Sequence, residues 1–80
     1  MNERILDLDQ TVYSLCMADP AIVNILAEVG FRDISRPGML HTAGRFMTIP
    51  KGAAMKRIEL AMIIKTFETY GYKVIGGVGT

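Results

Sequence analysis

Hydrophobic positions in this chain come in short runs separated by strong breakers, and each run has its own period. Leu6 and Leu8 alternate with Asp7 and Asp9 over Arg4 to Asp9, which permits a short strand. Thr11 follows as a helix cap whose hydroxyl can accept from a free backbone amide, and Val12, Leu15 and Cys16 form the inner face of "VYSLCM". "ADP" at Ala18 to Pro20 ends that helix and opens another, because Asp19 caps well and proline in a first turn forfeits no hydrogen bond. Ile22, Ile25, Leu26 and Val29 then recur at helical spacing. Gly30 can take the left-handed conformation that closes this helix, and Phe31 is expected to pack back onto the core.

Ser35 and Pro37 repeat the cap-then-proline signal and predict a helix over "GMLHTAGRFM". At about 100° per residue, Met39, Leu40, Ala43, Phe46 and Met47 share one apolar sector, with His41 and Arg45 turned the opposite way. Gly44 sits at the sector's edge, where the missing side chain would let a neighbouring helix come close. Thr48 can cap again, Pro50 suits a first turn, and Ala53 to Lys56 predicts a short helical turn. Leu60, Ile63, Ile64, Phe67 and Tyr70 make the longest apolar stripe, closed by Gly71, while Ile58 and Met62 lie off it as candidates for an exposed patch. "YKVI" predicts a final strand that can pair with "ILDL"; "GGVGT" reads as a frayed tail, since no helix follows to aim its amides at a phosphate. The fold class expected is mainly α: a compact bundle of about five short helices with one short terminal β-strand pair, forming a single helical domain over residues 1–80.

Composition narrows the class. Eighty residues bury one modest core, and half of them are hydrophobic, which leaves apolar surface for a partner. The longest aliphatic run, "LAMII", is far shorter than the ~18 residues that span a bilayer, so no membrane segment is expected. Acids interrupt "MNERILDLDQ", which does not read as a secretory signal, and a cytoplasmic location follows as the expectation. A lone cysteine excludes an intrachain disulfide, a C-x-x-C pair and a cysteine-rich zinc site; Cys16 reads as a small buried hydrophobe. Met39, Met47 and Met55 read as flexible core filler ahead of soft-metal ligands.

Charge changes the picture more. Glu3, Asp7, Asp9, Asp19 and Glu28 face Arg4 alone before residue 32, a net of −4, whereas Arg32, Arg36, Arg45, Lys51, Lys56 and Arg57 face Asp33 alone up to residue 57, a net of +5. The first explanation is that the acidic part folds against the basic part or faces water. A second is an anion site in which Arg45, Lys51 and free amides near Thr48 converge on a phosphate or carboxylate, with His41 and Arg36 as further candidate anion or partner contacts. Nucleic acid ranks last, because no binding motif or interleaved exposed aromatics accompany the cations. His41 lacks partners at metal-ligand spacing, and neither Thr42 nor Thr48 suggests a nucleophile; no catalytic, metal or cofactor residue is expected.

"TVYSLCMADPAIVNILAEVGFRDI", "PGMLHTAGRFMTIPKGAAMKRIEL" and "YGYKVI" together resemble the small bacterial and archaeal family known as domain of unknown function 1858. The resemblance implies a mostly helical domain, found alone or at the start of longer proteins carrying hemerythrin-like or sensory modules. Thr11 to Ile34 is also similar to the amino-terminal domain of iron–sulfur cluster repair proteins and to hybrid-cluster-associated domains, which share a threonine-capped helix, a "DP" break and a "GF" corner. Those relatives carry redox cysteines after the corner; "GFRDISRPG" has none, so the redox role does not carry over. His41 stands where the nearer family usually carries asparagine. The expectation is a non-catalytic accessory or protein-interaction domain, linked to iron, redox or sensory proteins and able to meet a protein partner or a second copy of itself. A small-anion sensor built on the basic midsection is the alternative.

Overall fold

The two ends of the described chain lie side by side. The computed structural model describes residues 4–36 and 38–77. In it β1 (Arg4–Asp7) and β2 (Tyr72–Ile75) pair in parallel, with Arg4 opposite Tyr72 and Asp7 opposite Ile75. Parallel strands need a crossover, and here all the helices lie within it. The expected pairing of "YKVI" with "ILDL" is therefore present, although β1 stops at Asp7 rather than reaching Asp9. A turn ends it: Gln10 N donates to Asp7 O at 3.1 Å and Asp9 N to Asp7 Oδ1 at 3.0 Å. Leu6 and Leu8 both point into the core.

Helix α1 (Val12–Ala18) starts where Thr11 accepts from Ser14 N at 3.1 Å, and it buries Val12, Leu15 and Cys16. Helix α2 (Ala21–Val29) follows at once, with Asp19 Oδ1 accepting from Ala21 N at 3.1 Å and Gly30 closing the helix at φ 122°. Its buried face is Ile22, Ile25, Leu26 and Val29, as the periodicity predicts. Phe31 is fully buried and meets helix α4 (Ile49–Lys56) at Gly52, where a Cβ would overlap the ring's Cε2 and lie 2.8 Å from its Cζ. Thr48 caps α4 by accepting from Lys51 N, and α5 (Leu60–Thr69) buries Ile63 and Phe67, the latter edge-on to Tyr72 of β2. The mainly helical class with a terminal strand pair stands.

Several expectations fail locally. "GMLHTAGRFM" is not one amphipathic helix: α3 covers only Met39–Thr42 and a 3-10 turn takes over from Ala43 to Arg45. A 3-10 turn advances about 120° per residue and not 100°, and the backbone breaks at Thr42 (φ −106°, ψ −81°), so the projected apolar sector loses its phase. Phe46, expected inside, is 83% exposed. Ser35 does not cap α3; it ends a 3-10 turn (Arg32–Ser35) by donating its hydroxyl to Arg32 O, and Gly38 at φ 84° leads into α3. The proline half of that signal, Pro37, lies outside the described residues. Ile58 and Met62 form no joint patch: Ile58 packs half-buried against Gly30, leaving Met62 alone on α5. Tyr70, counted in the apolar stripe, is about half exposed. The glycine tail is tied down where it is described, since Gly77 N donates to Asp9 Oδ1 at 3.0 Å; residues 78–80 of it lie outside the described residues.

Candidate functional site

Among the expected contact residues, His41 and Arg45 come together. They sit four positions apart across the α3-to-3-10 junction and both land on Tyr13 of α1. The Arg45 guanidinium carbon lies 4.8 Å from the centroid of the Tyr13 ring, and the His41 ring meets the same ring edge-on at 5.3 Å. Gly44 is buried between them: a Cβ there would crowd Leu40 Cδ1 at 3.1 Å and stand in ordinary contact with Tyr13 N at 3.6 Å. Tyr13 itself escaped the sequence reading. Its one signal was its place beside Val12, at the margin of the buried face of α1.

Arg36 and Lys51 do not join that cluster through any bond. Lys51 is exposed on α4, and the start of that helix has little left for an anion. Thr48 Oγ1 takes the Lys51 amide at 3.3 Å, Thr48 O takes the Gly52 amide at 2.9 Å, and Pro50 has no N–H. Phe46, three residues before α4, and Met55, in its last turn, are 83% and 75% exposed.

Ion pairing decides how the segregated charges are used. The two ion pairs among the described residues are Arg4–Asp19 at 4.0 Å and Lys56–Asp33 at 3.3 Å. Each lies within its own segment, so none of them joins the acidic first part to the basic middle. Arg32, Arg36, Arg45, Lys51 and Arg57 are all exposed with no carboxylate partner among the described residues. On the other side of the molecule's chemistry, Cys16 is buried; desolvation first, then the nearby Asp19 carboxylate, push its thiol up to about 11. Such a thiol stays protonated and unreactive at neutral pH. No group of three metal-ligating side chains occurs among the described residues.

A known family profile spans residues 6–64, most of the described fold. It is DUF1858, a domain of unknown function. The chain belongs to this family. A solved structure, the conserved domain protein from Streptococcus pneumoniae TIGR4, is similar to this DUF1858 chain at 31% identity and a TM-score of 0.87, covering 94% of each chain. Comparison with curated proteins gives no match. The profile extends over the Tyr13, His41 and Arg45 cluster and over α4, so the basic midsection lies inside the family's shared region. The likeness to iron–sulfur repair domains is not carried by either comparison.

Proposed function

We propose that this DUF1858 domain is a non-catalytic interaction module, which presents its basic midsection together with Phe46 and Met55 to an acidic protein surface. The observation that carries this reading is the set of exposed, carboxylate-free cations in residues 32–57, a stretch that also carries two large, mostly exposed apolar side chains. Solvated cations cost little to leave unpaired, but a large apolar side chain that is mostly in water gains about 1.5–3 kcal/mol when a partner buries it fully. Charge brings the partner and sets its orientation; Phe46 and Met55 supply apolar contact. Arg45, held over Tyr13, offers its guanidinium edge in a fixed position. The protonated, buried Cys16 supports the non-catalytic part of the reading. The anion-sensor alternative draws less support, because capping consumes the α4 amides that would have cradled the anion.

Affinity capture from cell extract tests this with three baits: wild type, Phe46→Ser and the double variant Arg45→Glu, Lys51→Glu. All three substituted side chains are exposed, so thermal melts should agree. A partner retained by wild type at low salt and lost from both variants supports the surface. Equal capture by all three baits, or no partner together with a strictly monomeric protein in light scattering, overturns it.

A further inference from the structure

A cleft of about 240 Å³ lies on residues that the basic midsection does not include. It is lined by Arg4 at the start of β1, by Ala21, Asn24, Ile25 and Glu28 along one stripe of α2, and by Tyr70 just past α5. Its two ends carry opposite charges, and a tyrosine hydroxyl orients each. At one end Arg4 Nη1 donates to Tyr72 Oη at 3.4 Å and lies 4.0 Å from Asp19 Oδ2, while Tyr72 donates to the same Asp19 oxygen at 2.6 Å. The contacts use one nitrogen, Nη1. The remaining N–H donors of the guanidinium have no acceptor among the described residues, and the side chain is 56% exposed. At the other end Tyr70 donates to Glu28 Oε1 at 2.6 Å, which leaves Glu28 Oε2 as an acceptor. Between them the floor is apolar at Ala21 and Ile25, with the Asn24 amide offering both a donor and an acceptor.

We propose that this cleft binds a short zwitterionic peptide of three small residues, its carboxylate on Arg4 and its ammonium on Glu28. A guanidinium with free donors pairs with a carboxylate in two-pronged fashion, and a carboxylate anchored by a phenol accepts an ammonium without having to reorient. Asn24 matches a peptide group midway along the ligand. Length selects the ligand as well: Ala21 to Glu28 rises about 10 Å along a helix, and three extended residues at about 3.4 Å each span the same distance. A free amino acid is too short to reach both charges. Small side chains suit the cleft's volume and its shallow apolar floor.

The test is an amide-shift NMR titration of the intact protein with trialanine, with its N-acetyl and C-amide forms, and with alanine. Trialanine should shift the amides of Asn24, Glu28 and Tyr70 saturably, and each blocked form should bind at least tenfold more weakly. Glu28→Gln should remove the preference for a free amino group, and Arg4→Gln the preference for a free carboxylate. Both side chains lie at the surface, so the spectra of the variants should remain those of a folded protein. Absence of saturable shifts at millimolar trialanine, equal affinity for blocked and free peptides, or equal affinity for alanine would overturn the proposal. None of these outcomes depends on the acidic partner of the basic midsection.

Discussion

Cys16 shows what a single buried group does to the pH dependence of the whole protein. The thiol is 3% exposed, and its folded value of about 11 stands above the ordinary 9.0 that it regains on unfolding. A raised value means that the folded state holds the proton more tightly. The associated stability is complete below pH 9 and is lost as the pH climbs from about 9 towards 11, since only the unfolded chain releases the proton in that window. The loss is on the order of 2 kcal/mol. Urea denaturation across this range should show it, and Cys16→Ala should flatten the pH dependence below about 10 while lowering stability overall through the lost packing. Tyr72, raised chiefly by burial and then by its bond to Asp19, pulls in the same direction at higher pH. A wild-type curve that stays level from pH 8 to 11 would refute the assignment.

Single elements were legible where one local rule governed them. Thr11 and Thr48 sit before their helices as caps, and each accepts from the amide three residues on. The buried faces of α1 and α2 follow the 3.6-residue period without exception, because both are continuous α-helices. Phe46 was misplaced for the converse reason: its projection assumed one helix through a segment that changes type at Ala43. The cluster of Tyr13, His41 and Arg45 and the cleft between Arg4 and Glu28 join residues from elements far apart in the chain, and periodicity carries no such information. Helix α4 adds a position with no sequence signal at all. Arg57 closes it in the left-handed conformation at φ 57°, where glycine is the usual occupant. Arg57→Gly should therefore raise stability relative to Arg57→Ala by about 1 kcal/mol in thermal or urea melts, both variants losing the same charge. Equal stability of the two would mean that the left-handed turn carries no strain.

For the molecule as a whole, the central fact is that its outermost described elements are neighbours. Leu6, Phe67 and Tyr72 are buried where β1 meets β2 and α5, so the first and last described strands help to form the core. A unit whose first and last described strands share a ladder has to assemble around both. Its stability owes little to ion pairing. Arg4–Asp19 and Lys56–Asp33 are both partly exposed, and pairs of that kind contribute about 1 kcal/mol or less. Salt therefore acts only slightly on the fold.

The parallel ladder also has a mechanical meaning. Arg4 and Tyr72 share one end of it, Asp7 and Ile75 the other, so tension applied to the chain at β1's start and β2's end pulls the strands in opposite senses along their length. The rungs are then loaded in shear and must yield together, whereas strands peeled apart from one end yield one rung at a time. Optical-tweezer pulling through these two points should reveal a single abrupt rupture of the whole domain. Lys73→Pro removes the amide of one rung and should lower the rupture force sharply. A gradual extension with helices unravelling first would show that the ladder does not bear the load. With the ladder bearing the load, a domain strung between other modules would transmit force through a clamp only four residue pairs long.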